Sequence, residues 1–485
     1  MNRDRQHSWA GTIFRLTHGE GALLILIGQG FNRRYLSHIV KRGRKGKSVL
    51  MTIARRQIVD ANNNGYYHCI GRCVRQSYLC GFDTVSGRDF SHRKQWIVDR
   101  LKALTSLFAI DVVTPAIMGN HYHLVVRIRP KDVQDWSDQD VARRWLKACS
   151  LWTLDQTTVE PPDDAISEVL LDPRRLIELR KRLASISWFM KFLNEYIARW
   201  ANREDGCRGH FWSGRFQCKQ LLDEPGLLTC MMYVDLNPIR AQLAGSISEE
   251  QVTGAFLRFK AERAEKRLGG LYERLGRCLG IDPNVRISRQ SIDDIAARLT
   301  VRDDGVASTF ELSGLATKHM KRNRAGVKQS DGGAKFGSSS KQLNRLRKKV
   351  TRLTAAIASQ KELAGQADWL QPLDGHRSPV TGLSSHTYLQ LLDETGRVTR
   401  KEKRGVIGAE TKPLLEAMKI DSEAWLTVFD RFEAWFPVAA GRAERLKARA
   451  EELGRRWFRG ISLARKLFGH ERVSVPIDKS LTPLE

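Results

Sequence analysis

Cysteine is scarce in this sequence. Eight irregularly placed cysteines in 485 residues are too few for a disulfide scaffold and fit a reducing compartment. Cys69, Cys73 and Cys80 lie close together, but no second pair at zinc-ligand spacing completes them. Long apolar runs are also missing. The greasiest stretch near the N-terminus, Ala22-Leu23-Leu24-Ile25-Leu26-Ile27, is far too short to span a bilayer. Asp4 and Glu20 precede it and no small-residue cleavage site follows convincingly, so it does not read as a signal peptide. No internal repeat recurs, and acidic residues are in deficit, with 54 Asp and Glu against 81 Lys and Arg. The resulting formal charge of +27 makes a polyanion, above all nucleic acid, the expected partner.

What is present is the composition of a soluble protein, 41% apolar and 28% charged, long enough for roughly two to four domains. Residues 1–50 mix the greasy run with a basic stretch, Arg42-Gly43-Arg44-Lys45-Gly46-Lys47, and lack sustained periodicity. They read as a weakly ordered basic extension, with Met51 as an alternative start. A folded region is expected over 51–250. It begins with a strand near Tyr66–Cys73, then a helix over 91–107 with Trp96, Val98, Leu101, Leu104 and Leu107 inward and Arg93, Lys94, Arg100 and Lys102 outside. Two strands follow, joined at Gly119-Asn120.

A polar insertion of short helices and loop is predicted over about 131–182, then a long helix over 184–202 carrying Phe189, Phe192, Leu193 and Ile197. A strand is expected over 209–218, broken early by Gly214, and a helix over 222–237. Strand, helix, strand, strand, helix, strand is the order of an α+β, ferredoxin-like antiparallel sheet with helices on one face and the other face free for a ligand or second subunit. Residues 281–485 read as a separate, basic, mostly helical accessory region.

His121-Tyr122-His123 is where chemistry first shows. Alternate residues of a strand share a face, so both imidazoles stand side by side while Tyr122 points away. Two neutral imidazoles make a natural ligand pair for a divalent ion, although His-x-His also arises by chance on strands and needs a third element. That element is Tyr233-Val234-Asp235-Leu236-Asn237-Pro238. Tyr233 and Asn237 are one turn apart on a helix that Pro238 ends. An oxygen-tolerant ion, Mg²⁺ or Mn²⁺, held by His121, His123 and Asn237 polarises a scissile phosphate, and Tyr233 attacks it to give a phosphotyrosine and a free 3′-hydroxyl. That linkage conserves the phosphodiester energy, so another strand's hydroxyl can reverse the step and join DNA.

Met118-Gly119-Asn120-His121-Tyr122-His123-Leu124-Val125-Val126 resembles the histidine motif of the IS200-like, single-tyrosine transposases of the HUH type, in the branch associated with repetitive extragenic palindromes. Tyr67–Arg72, Gly209–Phe216 and Tyr233–Ala241 resemble that branch in the same order, over about residues 55–245. The resemblance implies Tyr233 as nucleophile, Asn237 completing the metal site, a ferredoxin-like fold, cleavage of single-stranded DNA beside a hairpin or palindromic repeat, and a homodimer. No membrane role is implied, and the expected location is cytoplasmic and nucleoid-associated.

Arg72, His210, Arg215 and Arg240 are candidates for phosphate contact or site support, and His68 for a hydrogen bond near the metal. Tyr66, Tyr67, Tyr196 and Trp200 read as core or DNA-contact residues. In the basic tail, Lys318, Lys321, Arg322, Arg324, Arg345, Arg347, Lys348 and Lys349 are the densest candidates for salt-sensitive nucleic-acid binding. A nicking endonuclease on palindromic repeats, or a DNA-binding regulator without activity, are the competing readings.

Overall fold

The computed structural model describes residues 13–14, 25–26 and 54–469, the last with interruptions at 75–77, 85, 152–158, 242, 244–251, 282–286, 301–336, 399–414, 417–418 and 430. Contacts divide the chain into two units, Met1–Ala54 and Arg55–Glu485. In the first, β1 (Ile13–Phe14) and β2 (Ile25–Leu26) pair antiparallel.

The second unit is α+β. In chain order it runs α1 (Arg55–Ile58), β3 (Gly65–Arg72), α2 (Arg93–Leu107), β4 (Ile110–Ile117) and β5 (His121–Ile128). Then come α3 (Asp138–Ser150), α4 (Asp163–Leu170), α5 (Pro173–Leu183), α6 (Ile186–Glu204), β6 (Gln217–Leu221), α7 (Glu224–Asp235) and α8 (Asn237–Arg240). The remainder is α9 (Gly254–Cys278), α10 (Arg289–Thr300), α11 (Gly337–Ala364), α12 (Ser385–Val398), α13 (Ser422–Val428), α14 (Phe432–Trp435), β7 (Ala439–Ala440), α15 (Ala443–Glu452) and α16 (Ile461–Phe468). Among the described residues no helix is long and apolar enough to cross a membrane.

The sheet order is β4-β5-β3-β6-β7, antiparallel throughout except for the parallel β6–β7 pair. β4 and β5 form the hairpin expected at Gly119-Asn120, closed by Met118 N–H donating to His121 O at 2.8 Å. The helices do not keep to one face, which corrects the sequence reading. Tyr122 on one face donates its hydroxyl to Asn194 of α6, whereas His123 on the other meets Tyr233 of α7. The face expected to be free is therefore covered. β3, central in the sheet, is buried from Gly65 to Gly71, as a strand covered on both faces must be.

Three more expectations change. The strand predicted over 209–218 forms at 217–221, leaving only a bridge between Cys73 and Trp212 upstream. On α2, Arg93 and Arg100 are buried rather than outward. Arg93 pairs with Glu204 at 2.7 Å and Asp205 at 2.5 Å, and Arg100 donates to the carbonyls of Phe192 and Leu151, so distant acceptors replace the water each cation loses. Finally, the described residues of 281–485 do not stand apart. They supply β7 to the sheet, and Gln371 N–H donates to Val112 O at 2.8 Å while its side chain donates to the Tyr66 hydroxyl at 3.1 Å. Beside the sheet, α9, α10 and α11 share their own apolar cluster, including Leu268, Leu275, Ala296, Val350 and Ile357.

α7 begins where Asp223, half-buried at its N-cap, accepts from Gly226 N–H at 2.9 Å and Arg442 N–H at 2.6 Å. Its first turn lies directly on β7, because a Cβ on Gly226 would sit 2.6 Å from the Ala440 carbonyl oxygen. Gly226→Ala is thus expected to push α7 off the sheet edge and cost roughly 2 kcal/mol, read as a lower denaturation midpoint. An unchanged midpoint would show that the backbone yields there at no cost.

Candidate active site

The histidine face of the sheet gathers side chains from five segments. β5 presents His121 and His123, their rings 5.0 Å apart between centroids. From β3, His68 stacks on His123 at 5.2 Å and joins it by a hydrogen bond of 2.9 Å between His68 Nε2 and His123 Nδ1. α7 brings the Tyr233 ring to 5.8 Å from His123, edge to face. α14 closes the group from above. Phe432 stacks on Tyr233 at 4.9 Å, and Glu433 Oε1 accepts from the Tyr233 hydroxyl at 3.0 Å and lies 3.7 Å from His123 Nδ1. β6 contributes Lys219, paired across the sheet with His68, its ammonium 3.5 Å from the Glu433 carbonyl.

Burial sets the electrostatics. His123 and His68 are almost fully enclosed, and loss of water holds both well below the ordinary imidazole pKa. His121 is held at about 4, first by burial and then by the Arg72 charge, with Glu433 opposing. All three rings are therefore neutral at neutral pH, the form that offers lone pairs. Burial first, and the Glu433 carboxylate second, push the Tyr233 phenol well above its usual value, so its proton stays in place until something accepts it. Lys219 is pushed down by burial, with Glu433 countering.

The histidine pair fits a divalent ion. His121 Nδ1 lies 2.6 Å from Asn120 Oδ1, which orients the ring and leaves Nε2 outward. If His123 Nδ1–H donates to His68, its buried Nε2 is a bare lone pair, and that atom has no hydrogen-bond partner among the described residues. Among those residues no three His, Cys, Asp or Glu side chains make a ready metal group, so a third protein donor has to be of another kind or move in.

Asn237 is placed less directly. The helix does not run through it as expected, because Pro238 has no N–H to continue the ladder, and α7 stops at Asp235 before α8 restarts. The Asn237 carboxamide oxygen accepts from Arg240 at 3.3 Å, and the Arg240 guanidinium lies 5.0 Å from the Tyr233 ring centre. Arg240 thus links the two residues.

Arg72 is the register partner of His121, exposed at the end of β3. His210 and Arg215 are exposed on the segment that Ser213 ties to the Arg72 carbonyl, through its N–H at 2.9 Å and its hydroxyl at 3.0 Å. Lys318, Lys321, Arg322 and Arg324 lie outside the described residues. Arg345, Lys348 and Lys349 are exposed and Arg347 half-buried on α11, which packs on α9 and α10.

Set against protein-family models, curated proteins and solved structures, the chain matches none.

Sequence reasoning missed Glu433, Phe432 and Lys219. Glu433 lies 200 residues beyond Tyr233, and no local pattern marks it. Lys219 carried a faint signal, as a lone cation in a short strand between Cys218 and Gln220. Tyr233 itself is only 7% exposed, its ring covered by Phe432 of α14.

Proposed function

We propose that this chain is a metal-dependent, single-tyrosine DNA strand transferase that cuts and rejoins single-stranded DNA beside hairpin or palindromic repeats. One observation carries the reading: the Tyr233 hydroxyl, a carboxylate acceptor and a pair of neutral histidines meet on one face of the sheet. The β4-β5-β3-β6 order, with helices after β3 and β5, also agrees with a ferredoxin-like frame to which β7 is added.

Tyr233 attacks the scissile phosphorus, and its proton passes to Glu433 Oε1, 3.0 Å away. The bond between phosphorus and the 3′-oxygen breaks, its electron pair stays with that oxygen, and protonation gives a free 3′-hydroxyl and a 5′-phosphotyrosine. A 3′-hydroxyl of another strand reverses these steps and joins DNA. Mg²⁺ or Mn²⁺ held by Nε2 of His121 and His123, with the Asn237 carboxamide as a further donor, would stabilise charge on the phosphate oxygens. Arg240, over the tyrosine ring, supplies positive charge beside the developing phenolate.

The test is a denaturing gel for protein attached to labelled single-stranded DNA carrying repeats from the native locus, with Mg²⁺ or Mn²⁺. A metal-dependent adduct and joined product support strand transfer. Nicked product without joining supports the endonuclease reading. The burial of Tyr233 under Phe432 favours one competitor, a DNA-binding regulator that does not cut, and bound DNA without adduct supports it.

Glu433→Gln keeps the volume and an acceptor oxygen but is a far weaker base. Adduct formation is expected to slow by roughly 10²-fold at neutral pH, with partial recovery at alkaline pH. An unchanged rate and pH profile would remove Glu433 from the proton path.

A further inference from the structure

Two adjoining clefts on the β4 side of the sheet share Phe256 and Lys260 of α9. The first, about 330 Å³, runs along α9 past Phe259, Arg263 and Arg267 to Gln360 of α11. The second, about 430 Å³, lies between α9 and α2 and adds Lys94 and Lys102. Among the described residues no acidic side chain lines either cleft. Two of the three acids of α9 are paired elsewhere, Glu262 with His386 and Glu265 with Arg289. Lys260, Arg263 and Arg267 recur at helical spacing along one stripe, and two aromatic rings are interleaved with them, Lys260 over Phe256 and Arg263 over Phe259. A third cleft shares Lys102 but mixes Asp111, Asp132 and Asp368 with Arg127 and Arg129, and Arg129 pairs with two of those acids, so the basic track ends there.

We infer that this basic, aromatic groove between α9 and α2 binds single-stranded DNA and leads it toward the histidine end of the sheet. Lys260, Arg263 and Arg267 attract the backbone, and half-buried Phe256 and Phe259 offer stacking faces that a continuous duplex has no free bases to use. The groove is wired to the site. Val252 lines the second cleft, and its carbonyl accepts from Ile117 N–H at 3.0 Å. Thr253 bridges to Ala116, whose other neighbour is His123, so Thr253 lies two strand spacings, about 10 Å, from the histidine. The choice of DNA rests on the strand-transfer reading, whereas the polyanion track stands on the lining residues.

The experiment measures binding of a labelled oligothymidylate of about 20 nucleotides by the full chain in EDTA, so that no cutting intervenes, across a salt series. In the triple variant Lys260→Gln, Arg263→Gln, Arg267→Gln, affinity at low salt is expected to fall at least about tenfold and the log–log salt slope to flatten by about 2. Phe259→Leu should weaken binding at least about fivefold and leave the slope unchanged. The control triple Arg174→Gln, Arg175→Gln, Lys181→Gln removes equal charge from exposed positions of α5 and should do much less. Equal losses from both triples, or none from the α9 triple, overturn the groove. Tenfold tighter binding of oligouridylate overturns the assignment to DNA. Weakened binding by the α9 triple in a protein that never forms an adduct keeps the groove and sinks strand transfer. An adduct with normal binding by that triple does the reverse.

Discussion

Tyr233→Phe is expected to abolish the covalent protein–DNA adduct, a loss on the order of 10⁶-fold in the cutting step, because the attacking atom itself is gone. The substitution is mild everywhere else. The phenyl ring keeps its stack on Phe432 at 4.9 Å, its edge contact with His123 and its place under Arg240. Only the hydroxyl and its bonds to Glu433 and Arg240 disappear, and Glu433 is open enough to be hydrated. The denaturation midpoint is thus expected to move by less than about 1 kcal/mol, and DNA affinity to stay near the parent value. Tyr196→Phe is the matched control. Its hydroxyl is buried without a hydrogen-bond partner among the described residues and its ring faces the Arg100 guanidinium, so it is packing, and the adduct should survive its loss. An adduct that persists in Tyr233→Phe assigns the chemistry to another residue.

The sequence was most informative where period and turn chemistry act locally. The alternation around His121-Tyr122-His123 and the Gly119-Asn120 turn were enough to place both imidazoles on one face, and the structure has them there. β3 carried a signal that went unread: Tyr66-Tyr67-His68-Cys69-Ile70 shows no polar alternation, which is the pattern of a strand covered on both sides. Arg93 and Arg100 were misplaced because charge on a helix is usually hydrated. Nothing near them in sequence announces acceptors at Glu204, Asp205 or the Phe192 carbonyl. β6 was displaced because Gln217-Cys218-Lys219-Gln220-Leu221 reads as polar, while its neighbours in space bury Lys219 to 3% exposure. Glu433 illustrates the same limit at the site, since it meets Tyr233 from 200 residues away in the chain.

Asp235→Ala is expected to be the most destabilising single change near the site, by roughly 3–5 kcal/mol. Asp235 lies two residues after Tyr233 and two before Asn237, 2% exposed, and its side chain points into the core. One carboxylate oxygen accepts from the Thr114 hydroxyl of β4 at 2.7 Å and from Ala255 N–H at the start of α9 at 3.1 Å. The other accepts from the Tyr388 hydroxyl of α12. Burial raises the carboxyl pKa, while the Tyr388 and Thr114 hydrogen bonds and the Arg258 charge resist that rise. Four elements therefore converge on one residue, which fixes the end of α7 and with it the approach of Tyr233 to the histidines. Alanine strands three buried donors, among them an N–H in the first turn of α9 that has no intrahelical acceptor. Asp235→Asn is a sharper probe. Its carboxamide oxygen retains the Thr114 and Ala255 bonds, and its amide can donate to the Tyr388 oxygen once that hydroxyl turns, so the cost should be about 1 kcal/mol. Denaturant midpoints of the two variants should separate accordingly, and the adduct rate should follow the same order, near parental for asparagine and strongly reduced for alanine. Equal midpoints for alanine and the parent would mean that α7 is held by its apolar contacts alone and that Asp235 does not set the position of the nucleophile.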